Sequence, residues 1–288
     1  MAGIINYLVD PKDETLSNNP PKTLLDAKQL TLLAEMARAA GEAIMQYYQG
    51  GELAIERKAD DSPVTAADLA SHAVLQQALA REFPTWPQMS EEAADIPWAQ
   101  RQGWETYWLI DPLDGTKEFI KGNGEFTVNI ALIHRGQAVA GVVYVPATAV
   151  CYLGALGLGA WRETPNAAGY QRVELNARAG VKRQIPVIVG SRSHSSPGLG
   201  EYLQQFGEHE MKSVGSSLKF CLLAEGKADI YPRLGPTSEW DTAAAQAVLE
   251  SAGGRVLEYP AGNNLKYNQK ETILNPWFIA YSADWPCD

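Results

Sequence analysis

Residues 108–119, WLIDPLDGTKEF, constrain this chain more than any other stretch. A strand-like run at 107–110 leads into Asp111 and Asp114, which are three apart with Pro112 between them. Gly115 and Thr116 lead out. A carboxylate where a strand ends and a loop begins is as often a turn or helix cap as a ligand. Two of them in DPLDGT favour a ligand, because a hard divalent cation takes oxygen donors, commonly a few carboxylates with water and phosphate. Thr116 adds a hydroxyl, and the N–H groups of Gly115 and Thr116 would point at a phosphate oxygen if they open a helical turn.

Charge and composition narrow the partners of such a site. The 288 residues suffice for one large or two modest domains, and 45% apolar with 20% charged residues is an ordinary globular balance. A net charge of −10 argues against a nucleic-acid polymer as partner, since that affinity rests on basic surface. A small anion stays compatible if metal ions and a few local Lys or Arg reverse the sign at the site. The three cysteines, Cys151, Cys221 and Cys287, are scattered, which suits reduced thiols in a cytoplasmic protein. His72, His134, His194 and His209 lie singly, without zinc-ligand spacing. No apolar run reaches the roughly 18–20 residues of a membrane span, and the N-terminus lacks a signal-peptide pattern. The expected location is cytoplasmic, with peripheral attachment to the cytoplasmic side of the inner membrane left open.

Residues 1–23 are polar and proline-interrupted and read as an extension outside the core. Helical spacing covers 24–48, with Leu30, Leu33, Ala34, Ala37, Ala40, Gly41 and Ile44 on a face rich in small residues, and Gly50–Gly51 as the stop. Residues 62–65 form an extended lead-in to a helix over 66–83, with apolar Leu69, Ala73, Leu75 and Leu79 and with Asp68 in its first turn. A polar linker holds Trp98 and Trp104. Beyond DPLDGT, apolar runs at 127–133 and 138–145 flank an Arg135–Gly136 turn, and 150–153 pairs with 160–163 across the glycine-rich ALGLG. The polar run 176–183 marks a boundary between halves over 24–180 and 181–288. In the second half, strands at 185–189, 211–214, 228–231, 255–257 and 278–281 alternate with helices at 198–206, 216–224 and 242–252. The pattern predicts helices with a mostly antiparallel sheet, then an α/β half.

Three more acidic positions bear on the site. Glu91 with Glu92 reads by itself as solvated surface. Asp241 precedes the apolar helix TAAAQAVLESAGG and reads as its N-cap, a place that can also hold a carboxylate rigidly toward a metal. Asp68 sits where a helix dipole favours an ionised carboxylate. Ser216, Ser217 and Lys219 follow Gly215 at a helix start, which suits a second phosphate. Lys117, Lys219 and Arg233 stand evenly between phosphate contacts and solvated surface, and Tyr231 between stacking on a base and packing.

In order along the chain, Asp68, Ser90-Glu91-Glu92, the DPLDGT of 111–116 and the WDTAA of 240–244 resemble the signature of the inositol monophosphatase superfamily, lithium-sensitive and magnesium-dependent phosphatases. Through 60–72, 107–133, 190–194 and 214–245 the chain looks most like the bacterial 3'(2'),5'-bisphosphate nucleotidases within it. The resemblance implies a layered αβαβα sandwich, of α/β and α+β class, acting as a monomer or homodimer. It implies two or three Mg2+ per site, inhibition by Li+, and hydrolysis of adenosine 3',5'-bisphosphate to AMP and phosphate, which removes a by-product of sulfate assimilation. Glu91 would hold a first ion with the Leu113 carbonyl, Asp111 would bridge, and Asp114 and Asp241 would hold a second. Asp68 and Thr116 would orient and deprotonate the attacking water, beside Glu91. Substrate would contact Glu91, Leu113, Asp114, Gly115, Thr116, Lys117, Ser216, Ser217, Lys219, Tyr231, Arg233 and Asp241. The alternatives are inositol monophosphatase or fructose-1,6-bisphosphatase activity on the same scaffold. More remote are a non-catalytic Ca2+-binding protein and a nucleotide-binding regulator built on ALGLG.

Overall fold

The computed structural model describes residues 24–48, 55–57, 63–177, 183–193 and 198–283. The extension 1–23, the Gly50–Gly51 stop, His194 and Cys287 lie outside them.

Helix α1 (Ala27–Tyr48) buries Ala34, Ala37, Ala40 and Gly41, the small-residue face that the spacing predicts. A Cβ on Gly41 would stand 2.3 Å from a ring carbon of Tyr144, so this face meets its neighbour at close range. Strands β1 (Ile55–Arg57) and β2 (Pro63–Thr65) pair antiparallel ahead of α2 (Ala66–Glu82). The buried side of α2 carries Asp68, Ser71, Leu75 and Leu79 at helical spacing. The predicted Leu69 and Ala73 are exposed instead, because Asp68 and Ser71 turn inward to hydrogen-bond partners.

Strand β3 (Gln88–Ser90) is followed by α3 (Trp98–Arg101), a short helix where a linker was expected. Its buried Arg101 holds the Asn268 side chain at 2.5 Å and the carbonyl of Glu271. Strand β4 (Thr106–Asp114), helix α4 (Thr116–Ile120), and strands β5 (Thr127–His134), β6 (Gln137–Val145), β7 (Val150–Ala155), β8 (Gly159–Asn166) and β9 (Gly169–Glu174) complete the first half. Their sheet runs β3-β4-β5-β6-β7-β8-β9, antiparallel except for β3 on β4. Arg135 and Gly136 both have positive φ, 49° and 78°, and form the two-residue turn between β5 and β6. The ALGLG run is the turn between β7 and β8. Strand β9 escaped the sequence reading because every residue of it is exposed, so no apolar alternation marks it.

The second half supplies β10 (Val187–Ser191), α5 (Leu199–Leu203), β11 (Glu210–Val214), α6 (Leu218–Ala224), β12 (Ile230–Arg233), α7 (Ala243–Ser251), β13 (Arg255–Glu258) and β14 (Phe278–Tyr281). Its sheet runs β11-β10-β12-β14-β13, parallel around β10 and antiparallel around β14.

Strand alternation then builds the layers. Trp108, Ile110, Val128 and Ile130 pack with α1 and α2, while Tyr107, Leu109 and Ala131 join the core containing α6 and α7. On the second sheet Val187, Val189 and Phe278 face that same core, and Ile188, Ile230 and Ile279 face Tyr202 of α5. The stack is αβαβα, and the central strands β4, β5 and β6, covered on both sides, read as near-continuous apolar runs.

The seating of α7 depends on two glycines in the first sheet. A Cβ on Gly141 of β6 would lie 2.1 Å from the backbone oxygen of Ala244, and one on Gly154 of β7 would lie 2.9 Å from Cα of Val248. Backbone obstructs both positions, so neither clash is relieved by a rotamer change. Gly141→Ala is expected to destabilise the protein by at least about 2 kcal/mol, measured as a lower urea midpoint; a midpoint equal to wild type would refute this seating.

Candidate active site

The DPLDGT stretch is built differently from the expected strand end. Strand β4 continues through Asp114, and its register on β5 shifts between Asp111, which faces Asn129, and Asp114, which faces Thr127. Three residues on β4 therefore span two on β5, a bulge at Pro112 and Leu113. Alternation alone would send Asp111 and Asp114 to opposite faces of the sheet, and the extra residue returns them to one side. Leu113 N–H donates to Asp111 Oδ1 at 3.1 Å, and the Ser71 hydroxyl holds the Pro112 carbonyl at 2.7 Å. Gly115 then adopts φ 91°, and its carbonyl starts the single turn of α4 by accepting from the N–H groups of Glu118 and Phe119. A Cβ there would also press on the Glu125 carbonyl at 3.1 Å.

Asp68 and Asp241 reach the site by the same local device. Each closes a capping box three residues after the N-cap, Thr65-x-x-Asp68 at α2 and Ser238-x-x-Asp241 at a single 3-10 turn. Asp68 Oδ2 accepts from the Thr65 N–H at 2.8 Å and hydroxyl at 2.7 Å, leaving Oδ1 to take the Thr116 hydroxyl at 3.2 Å. Asp241 Oδ2 accepts from the Thr237 hydroxyl at 2.7 Å and the Ser238 N–H at 2.9 Å. It is not the N-cap of α7, as the sequence suggested; Thr242 holds that position.

Asp111, Asp114 and Asp241 each present a carboxylate oxygen within 4.8 Å of the others, and Glu91 hydrogen-bonds Asp111. Burial, then the charges of Glu91, Asp114 and Asp241, push the Asp111 carboxyl well above the usual range. Burial and then Asp114 push Asp241 up to about 6. Burial also raises Asp68, against the lowering effect of its Thr65 hydrogen bonds. Converging like charges at this spacing are costly unless cations join them, and an all-oxygen donor set suits Mg2+. The residues present therefore fit divalent metal, with Leu113 adding a carbonyl that lies 3.4 Å from the Thr116 hydroxyl.

A cleft of about 400 Å³ opens over the cluster. Of the expected residues, Glu91, Asp114, Gly115, Thr116, Lys117, Ser216, Ser217, Lys219, Tyr231, Arg233 and Asp241 line it. Asp68, Asp111 and Leu113 lie behind this lining, buried. The Ser216 and Ser217 hydroxyls each reach Asp114 Oδ2 at 2.7 Å, so they hold a carboxylate where a phosphate was expected, and the seven residues of α6 begin only at Leu218. Lys219 and Arg233 are buried rather than solvated, at 6% and 8% exposure. Burial lowers the Lys219 ammonium to about 8, against the raising effect of Asp114, and its Nζ donates to the Ser216 carbonyl. Lys117 is exposed. Tyr231 packs edge-on against Phe220 at 5.1 Å and lies under Lys219, leaving it in the wall. ALGLG forms no part of the cleft.

Sequence reasoning missed Thr65, Ser71, Thr127, Asn129, Thr237 and Ser238. The two S/T-x-x-D boxes were readable. So were Thr127 and Asn129, polar at strand period in the apolar run TVNIALI; Asn129 lies 3.3 Å from Asp114 Oδ2. Ser71 and Thr237 carry no sequence signal, since their partners are distant or local to an irregular turn.

Comparison with known proteins places most of the chain among relatives. The family model described as "Inositol monophosphatase family" matches residues 26–283. The 3'(2'),5'-bisphosphate nucleotidase CysQ of Salmonella typhimurium is 51% identical over 258 residues, covering 86% of this chain and 98% of the relative. The protein of the same name from Escherichia coli K12 is 50% identical with the same coverage. The crystal structure of CysQ from Bacteroides thetaiotaomicron, described as a bacterial member of the inositol monophosphatase family, superposes with a TM-score of 0.77 at 39% identity, covering 90% of this chain and 98% of that one. With its carboxylate cluster, its layered fold and relatives of this identity, the chain belongs to the inositol monophosphatase family.

Proposed function

We propose that the protein is a magnesium-dependent phosphomonoesterase that removes the 3'-phosphate of adenosine 3',5'-bisphosphate, giving AMP and phosphate. The observation that carries this is the Thr116–Asp68 hydrogen bond set beside the Asp111–Asp114–Asp241 cluster at the floor of one cleft. Relatives at 50–51% identity named 3'(2'),5'-bisphosphate nucleotidase support the nucleotide as substrate. Glu91, Asp111, Asp114, Asp241 and the Leu113 carbonyl would hold the ions, which supply Lewis acidity and a lowered pKa for water. The division near 176–183 belongs to this reading, with most ligands in the first half and Asp241 in the second. We also propose a cytoplasmic location; among the described residues no helix is long and apolar enough to cross a membrane.

In the reaction, water attacks phosphorus in line with the leaving 3'-oxygen; one P–O bond forms as the ester P–O bond breaks. Thr116 receives the water proton as its own passes to Asp68, whose buried carboxyl is a stronger base than a solvated one. The leaving oxygen is protonated from solvent. Lys219 and Arg233 give the cleft fixed positive charge against the −10 of the whole chain. Lys117, Ser216, Ser217 and Tyr231 would shape the wall around the nucleotide.

Phosphate release from adenosine 3',5'-bisphosphate, inositol monophosphate and fructose 1,6-bisphosphate tests the substrate. The nucleotide should have the highest kcat/KM, with no turnover in chelator; a faster inositol phosphate would move the activity to the rival substrate. Asp68→Asn should lower kcat by about 10²–10⁴-fold with the melting temperature retained, and wild-type turnover would remove Asp68 from proton transfer. Saturating Mg2+ at about 100 Kd should stabilise the wild type by about 2.7 kcal/mol, read as a rise in Tm. Asp114→Asn should abolish both that rise and turnover, and a retained rise would disprove its role as a ligand.

A further inference from the structure

We infer that the Glu125–Arg192 ion pair is a positioning clamp for the Asp114 carboxylate, acting through Gly215, Ser216 and Ser217, an inference that rests on Asp114 being a metal ligand. Arg192 Nε and Nη2 reach separate oxygens of Glu125, each at 2.8 Å, and Nη2 also donates to the Ser213 carbonyl at 2.7 Å. Glu125 Oε2 in turn accepts the Gly215 N–H at 2.7 Å. One carboxylate from the segment between α4 and β5 thus ties down the turn after β10 and the chain between β11 and α6. The contact is tight, since a Cβ on Gly215 would lie 3.0 Å from both the Glu125 carbonyl and Glu118 Cγ and would press its neighbours outward by a few tenths of an ångström. A second tie stands alongside: the Ser193 hydroxyl donates to Glu118, whose other oxygen takes the Asn123 amide at 2.7 Å.

The tie ends on a strained residue. Ser216 has φ 49°, a left-handed conformation that a side-chain-bearing residue keeps only when its surroundings impose it. In that conformation its hydroxyl, with that of Ser217, meets Asp114 Oδ2 at 2.7 Å. Neither Glu125 nor Arg192 lines the cleft, and the hydrogen-bonded path from them to Asp114 runs through Gly215 to the two serines. A partly exposed ion pair adds little to global stability, but two-point Arg–carboxylate geometry fixes orientation.

The full-length wild type is compared with Glu125→Gln, Arg192→Ala, Arg192→Lys and the Glu125→Gln/Arg192→Ala double variant. Calorimetric titration with Mg2+ alone, steady-state kinetics and melting in chelator are the readouts. Glu125→Gln and Arg192→Ala should weaken Mg2+ affinity or kcat by about 10- to 100-fold, with Tm within about 3 °C of wild type. Arg192→Lys should recover part of the loss, and the double variant should be no worse than the poorer single one. Unchanged Mg2+ affinity and kcat, a raised KM alone, or losses that follow a collapse in Tm would each overturn the clamp. Wild-type protein that binds Mg2+ beside variants that match it in both Mg2+ affinity and kcat overturns the clamp alone, whereas wild type that binds no Mg2+ overturns the metal-site reading beneath it.

Discussion

Three carboxylates within 4.8 Å of one another repel, and much of this structure is arranged to hold them there. Each is restrained by hydrogen bonds that fix its direction. Asp111 takes the Leu113 N–H, Asp114 takes Ser216 and Ser217, and Asp241 takes Thr237 and Ser238. Burial, and then the charge of their neighbours, raises Asp111 and Asp241 toward their neutral forms. The balance leaves a concentrated set of oxygen donors whose repulsion a divalent cation relieves. The same balance explains why Lys219 tolerates burial in the cleft wall, since the nearby Asp114 and Asp241 offset part of its desolvation.

Bringing Asp241 to the other two is a packing problem. Asp111 and Asp114 belong to one strand, but Asp241 lies at the start of the segment entering α7. That helix can approach only because Gly141 and Gly154 remove side chains from the sheet beneath it and Ala243 to Ala245 remove them from the helix. On the opposite face of the sheet Gly41 lets α1 close on Tyr144 in the same way. Close-packed interiors transmit such displacements, so the glycines far from the cleft set the geometry within it. Glu239, next to the cluster, carries the fixing outward: both of its oxygens accept the Asn268 N–H, and Arg101 holds the Asn268 side chain.

Much of this was legible before any coordinates. The spacing of Ala34, Ala37, Ala40 and Gly41 announced a close-packed helix face, and the apolar runs around Arg135–Gly136 announced a hairpin. Other elements hid for physical reasons. Strand β9 is an exposed edge without alternation, and α3 is one turn in a polar segment. The apolar positions Leu69 and Ala73 misled because α2 spends its buried face on Asp68 and Ser71, a choice made by chemistry rather than hydrophobicity.

The sequence by itself determined the candidate side chains: Asp111, Asp114 and Thr116 stand together in DPLDGT, and Asp68 and Asp241 stand in capping boxes that need only three neighbouring residues. Residue type and short-range spacing suffice for that, because caps and bulges are local. Only the tertiary structure decided that Asp111 and Asp114 face the same side, that Ser216 and Ser217 serve a carboxylate, and that Lys219 and Arg233 are buried. Those outcomes depend on strand register and on contacts between residues about a hundred positions apart, such as Ser216 with Asp114, which no local pattern encodes.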